Sequence, residues 1–163
     1  MLGEMNKQLF QQSNSKIGGL DAKYMVLIAY FGGSVLGLIA GAQFVAWLIP
    51  LIIFLVDKEN KFIAFHAMQA LLLQVVAVII YIILSIILVI ALAATAVSAA
   101  TINLYAFGAG AGVSMAIGAV ILVIGVVVFI LAILAALKGY KYEIYEIPLV
   151  GKWAEKIVFK TSN

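Results

Sequence analysis

Residues 62–137 contain no Asp, Glu, Lys or Arg, and residues 24–56 contain none either. Runs of that kind fix the solvent before they fix the fold. Of the 163 residues, 66% are hydrophobic and 10% charged, against about 25% charged in an ordinary soluble domain. A water-soluble fold of this size has too little interior to hide so much apolar surface. The chain therefore reads as all-α, a polytopic helical membrane protein, since a helix satisfies its own backbone groups in hydrocarbon.

About 20 helical residues cross a hydrocarbon core of about 30 Å. Residues 62–137 accordingly hold two crossings and a connection. Residues 24–56 would make a single helix of about 50 Å, too long for one upright span, so this block must tilt, break or cross twice. The expected break is Gly41, Ala42 and Gln43, because Gln43 is the only amide in the block and Gly41 tolerates left-handed dihedrals. Four membrane helices are then expected, at about 23–40, 44–56, 71–94 and 113–137. Pro50 kinks or thins the second, and 95–112, with Thr95, Ser98, Thr101 and Asn103, forms a connection lying at the membrane surface or dipping into it.

Three regions follow: a polar, flexible tail at 1–22, a transmembrane domain at 23–147, and an interfacial segment at 148–163. In the last of these Trp153 lies among Lys152, Lys156 and Lys160, the composition of a helix at a membrane surface. Lysines up to Lys23 followed by Ala40, Gly41 and Ala42 imitate a cleavable secretory signal. The imitation fails because 44–56 stays apolar. If 24–56 crosses twice, all the lysines lie on one side, as the positive-inside bias favours, and both termini are cytoplasmic.

The net charge of +3 speaks to topology and anionic lipid, and no basic patch suits nucleic acid. With no Cys there is neither a disulfide framework nor a thiolate metal site. Ala29, Gly33, Gly37 and Gly41 recur at four-residue spacing, and Ala111, Gly118, Gly125 and Ala132 at seven. Each set lays a smooth strip along a helix, which lets another helix approach closely.

Few residues carry candidate chemistry. His66, the only histidine, stands at the mouth of a long helix with Gln69 one turn on, and takes a structural, a proton-handling or a cofactor-ligating role. A metal site would need more ligands than this, so no metal or cofactor is expected. Gln74, Tyr81 and Ser85 share one helix face, and serve either inter-helix hydrogen bonding or the lining of a pathway. Glu143 and Glu146 lie among Lys138 and Lys141 and read as interfacial ion pairs. No nucleophile elbow, phosphate loop or zinc-protease motif occurs, so an enzyme is not expected.

The loop Asp57, Lys58, Glu59, Asn60, Lys61, the run Phe62 to Leu71 with Phe65, His66 and Gln69, and the tail from Lys138 through Tyr140, Tyr142, Tyr145 and Pro148 to Gly151 carry a resemblance. Together they resemble a group of small prokaryotic membrane proteins of uncharacterised function. That group is similar to the membrane-spanning channel-type subunit of the chloroplast inner-envelope protein translocon. The resemblance covers residues 24–151 and implies a four-helix membrane domain in the plasma (inner) membrane of a prokaryote. Three functions are expected in order: a non-enzymatic membrane protein acting as an oligomer or accessory subunit, with itself or another membrane protein as partner; a channel or translocation pore; and a cofactor-binding membrane subunit.

Overall fold

A computed structural model describes residues 10–36 and 45–160. Among these the helices are α1 (Ala22–Leu36), α2 (Leu48–Val56), α3 (Lys61–Ala100), α4 (Leu104–Tyr140) and α5 (Val150–Lys160). The only strand-like feature among them is an isolated antiparallel bridge between Asn14 and Asp21. The all-α expectation holds.

The expectation of four membrane helices is corrected to two. Among the described residues only α3, with 40 residues, and α4, with 37, are long and apolar enough to cross a membrane. At 9 residues, α2 reaches only about 14 Å, short of about 30 Å of hydrocarbon, and the 15 described residues of α1 cover about 22 Å. They pack on each other as two short elements. A Cβ on Gly33 would lie 3.2 Å from the Ala46 carbonyl oxygen, so the small residue there does permit a close approach. Gly37 and the junction at Gly41 and Gln43 lie outside the described residues. Pro50 occupies the first turn of α2, where its missing N–H has no intrahelical acceptor to lose.

The expected connection at 95–112 is also replaced by helix. α3 runs on to Ala100 and α4 begins at Leu104, leaving a turn of Thr101, Ile102 and Asn103. Thr95, Ser98 and Ser114 donate their hydroxyls to the Ala91, Ala94 and Gly110 carbonyls one turn back, so their polarity needs no loop. The Asn103 side chain accepts from the Ala106 amide at 3.1 Å and caps α4.

The chain divides into two compact units, 76–129 and the remainder. The first is a helical hairpin, termed the hairpin below. Covered positions on α3 are Ala77, Leu84, Ala91 and Ser98, with Tyr81, Leu88 and Thr95 between them; on α4 they include Ile117 and Ile124, with Ser114, Ile121 and Val128. This seven-residue recurrence is the seam of an antiparallel coiled pair. Every other direction is apolar and open, as at Ile83, Ile90, Val97, Met115 and Leu122.

The second unit, the base, contains α1, α2, α5, the start of α3 and the end of α4. On α1, Ala22, Met25, Val26, Ala29, Tyr30 and Gly33 are buried, a continuous face at helical spacing. Phe62 to Ala70 on α3 are buried all round. The segment before α1 is tied to this unit: the Phe10 amide donates to the Tyr142 carbonyl at 3.0 Å, and buried Ser15 donates to the Asp57 carboxylate. Asp57 also accepts from the Lys16 amide at 2.7 Å, and Asn60 donates to the Ser13 hydroxyl at 3.0 Å.

Candidate functional site

His66 and Gln69 meet in the middle of the base, where both are fully buried. Helical spacing puts them on neighbouring positions of one α3 face, and α1 brings Tyr30 against them. The Gln69 amide nitrogen donates to the Tyr30 hydroxyl at 2.7 Å and to the Tyr145 carbonyl at 2.9 Å. Its oxygen accepts from the Ile147 amide at 3.1 Å. Tyr30 in turn lies 3.4 Å from His66 Nδ1, and His66 Nε2 lies 3.3 Å from the Glu143 carbonyl oxygen.

That carbonyl can only accept, so Nε2 carries the ring proton and Nδ1 receives the Tyr30 hydroxyl proton. A chain of hydrogen bonds thus runs from Gln69 through Tyr30 and His66 to Glu143, and every member is satisfied, which a low-dielectric interior demands. Around it the rings of Phe62, Phe65 and Tyr30 stand edge-on to the imidazole at 4.9, 5.5 and 6.0 Å. Gly139 completes the enclosure, because a Cβ there would lie 2.5 Å from Val26 and 3.3 Å from the His66 ring. Chemically, the arrangement fixes segment 143–147 against α3.

The stripe is less coherent. Gln74 is half-buried in the base; Tyr81 and Ser85 lie in the hairpin. The Tyr81 hydroxyl faces Gly125, 3.2 Å from where a Cβ would be, and exposed Ser85 donates to its own helix at the Ile82 carbonyl. On α4, Gly118 has nothing within 4 Å of a Cβ, so the strip through Gly118 and Gly125 is not a continuous ridge and a glycine zipper is not supported. Glu143 pairs with Lys138 at 2.5 Å, and this hydrogen bond holds its carboxyl below the usual range.

Two clusters were not legible in the sequence. Tyr142 donates to Asp21, which also accepts from Gln12 and from the Lys23 amide that opens α1. Lys16 pairs with Glu59 beside the engaged Asp57 carboxylate, at the edge of a cavity of about 560 Å³. Tyr30 had a signal: it shares the apolar α1 face, and a buried phenol needs a partner. Among the described residues no three His, Asp or Glu side chains converge as metal ligands.

No curated protein and no solved structure matches the chain. One family model does, over residues 21–154. It describes a membrane protein family, in agreement with the coarse form of the resemblance, and gives the chloroplast translocon likeness no support. The matched span takes in α1 to α4, the buried Tyr30, His66 and Gln69 cluster, and the start of α5. By this match the chain belongs to the magnetosome magnetite crystal formation protein family.

Proposed function

We propose that this chain is a non-enzymatic integral protein of the magnetosome membrane, acting there as an oligomer or accessory subunit while magnetite crystals form. The observation that carries the reading is the hairpin: about 37 Å of helix pair, apolar and exposed on every side but its seam, joined in the chain to a base with a fully satisfied polar interior. Such a hairpin is at rest only against lipid or other membrane helices.

Support for a non-enzymatic role comes from the polar groups themselves. The single histidine has both nitrogens engaged, and the chain has no cysteine. Both ends on the cytoplasmic side follow from the lysine bias. A pore along Gln74, Tyr81 and Ser85 draws less support, because Ser85 is satisfied by its own helix.

The test is native mass measurement in mild detergent together with deletion of the gene in its host. An oligomer or a co-purifying membrane partner is expected, with altered magnetite crystal size in the deletion strain by electron microscopy. A strict monomer without partner, and crystals of unchanged size, would overturn the reading.

A further inference from the structure

We propose that the base binds anionic phospholipid at the bilayer surface through a wedge of Pro148, Leu149 and Trp153 flanked by Lys152 and Lys156. The proposal rests on the membrane-embedded reading above and adds a lipid class and a binding site to it.

The wedge follows from how α5 is held. Its inner face, Val150, Gly151, Ala154 and Val158, is buried. Gly151 is locked in place: a Cβ there would lie 2.8 Å from Gln69 Oε1 and 2.8 Å from Glu146 Cα. At the other end Lys61 Nζ donates to the Val158 carbonyl at 3.0 Å, and the Phe65 and Phe159 rings lie 6.3 Å apart. With α5 anchored at both ends, its outer face is fixed as well.

That face presents an apolar surface beside two cations. Leu149 is 72% and Trp153 47% exposed, and Pro148, Lys152 and Lys156 are exposed with them. Leu149 holds φ +67°, a left-handed conformation that is unfavourable for a residue with a Cβ. Water gives an exposed, strained leucine nothing in return, whereas the acyl boundary does. Tryptophan at the boundary with lysines reaching to headgroups is the pattern of an interfacial helix, and lysines select anionic headgroups.

A second cluster on the same unit has the same character. Lys23 Nζ lies 5.1 Å and 5.5 Å from the centroids of the Tyr24 and Tyr140 rings, and both rings are partly exposed. Tyrosine and lysine together mark the headgroup level. The occupant of the α5 face is therefore the bilayer itself.

The test uses the full chain in nanodiscs of phosphatidylcholine with a minor fraction of phosphatidylglycerol. Trp47→Phe leaves Trp153 as the sole tryptophan, and bromine is placed on the acyl chains of one lipid or the other. Per brominated lipid, quenching of Trp153 should be about twofold stronger from phosphatidylglycerol, the lysines having gathered it there. Lys152→Gln with Lys156→Gln should remove the excess. If Trp47→Phe fails to fold, the difference between the unaltered chain and Trp153→Phe gives the same quantity.

Equal quenching from both lipids overturns the headgroup selection. A Trp153 that bromine does not quench but that is shielded from acrylamide means that a protein covers the face, which also overturns the proposal. Phe129→Trp, in a background of Trp47→Phe and Trp153→Phe, separates this result from the parent reading. If Phe129→Trp is quenched and Trp153 is not, only the wedge fails; if neither is quenched, the membrane-embedded hairpin fails.

Discussion

In the first turns of α3 every side chain from Phe62 to Ala70 is buried, and two of them are polar; from Val75 onward the same helix exposes large apolar side chains on every side but its seam. The base can hold His66 and Gln69 because α1 and segment 143–147 meet every hydrogen-bonding atom. The hairpin has no such surroundings, and the hydroxyls of Ser85, Thr95 and Ser98 turn back onto their own helix. Polar side chains inside the base therefore specify tertiary structure. In the hairpin they only satisfy themselves, and its fold is set by the seam and the solvent.

The substitution that breaks this contrast most severely is Gln69→Leu. It leaves the Tyr145 carbonyl and the Ile147 amide without the Gln69 partner in a buried site, and the Tyr30 hydroxyl with His66 alone. At about 1–3 kcal/mol for each unsatisfied group, the loss should be roughly 2 kcal/mol or more. Near-ultraviolet circular dichroism in mild detergent should show the base melting at markedly lower temperature, while far-ultraviolet signal from the hairpin persists. Simultaneous loss of both signals would mean that the two units are one cooperative structure.

Gly151→Ala attacks the base from its other side. The added methyl meets Gln69 Oε1 and the Glu146 backbone at 2.8 Å, and backbone cannot step aside cheaply. A destabilisation of about 1–3 kcal/mol is expected, as for overpacking elsewhere. The same change at Gly112, which has nothing within 4 Å, should not lower the melting temperature, and a fall there would undermine the packing account.

The ends of α3 and α4 sharpen the comparison further, because they close in the same way. Asn103 and Ile102 return their amides to Ser98 and Ala99, and Glu143 and Tyr142 return theirs to Lys138 and Gly139. This is the Schellman arrangement, in which the left-handed residue is usually glycine. Here the residues are Ile102 at φ 55° and Tyr142 at φ 60°. Tyr142 is compensated, stacking on Phe62 with ring centroids 5.5 Å apart and donating to Asp21, whereas Ile102 is 83% exposed. Ile102→Gly should therefore stabilise the hairpin by about 1 kcal/mol, and Tyr142→Gly should destabilise the base; thermal melts of the two variants moving in the same direction would refute the distinction.

The same latch gives a pH dependence with a definite sign. Burial and the hydrogen bond to Asp21 push the Tyr142 phenol up to about 12, above its ordinary value of about 10. Its contribution is whole below about pH 10 and is lost as pH rises through the raised value. The Asp21 carboxyl is held low, chiefly by Tyr142. Its contribution is present above the ordinary carboxylate range and disappears as pH falls through the lowered value. The melting temperature of the base should fall on the alkaline side in the native chain and less so in Tyr142→Phe. Identical alkaline profiles would show that the latch carries no stability.

The two long helices were legible because nothing but a membrane accommodates residues 62–137 without charge. Their true length was not. Thr95, Ser98, Thr101 and the glycines from Gly108 to Gly112 carry the composition of a loop in water, yet hydroxyls that bond one turn back remain helical. His66 and Gln69 stood out as polar residues in an apolar run. Tyr30 and the partners of Asp21 and Asp57 did not, because those contacts join segments distant in sequence. Length alone, at about 1.5 Å per residue, separates the 9-residue α2 from a span, and its apolar composition does not.

The smallest expected effects lie at Gly118 and Gly125 and decide whether these two glycines of the strip matter. A methyl at Gly125 would meet only the Tyr81 hydroxyl, the tip of a side chain that can swing, whereas at Gly118 it would meet nothing within 4 Å. Replacing a helical glycine by alanine also gains up to about 1 kcal/mol of helix propensity. Gly118→Ala should therefore be neutral to slightly stabilising, and Gly125→Ala should fall below it by the cost of displacing Tyr81. Tyr81→Phe in the Gly125→Ala background should recover part of that difference, as a double-mutant cycle on thermal melts in mild detergent would read. A loss of oligomer in Gly118→Ala would instead place a second chain against that glycine and make the strip an interface after all.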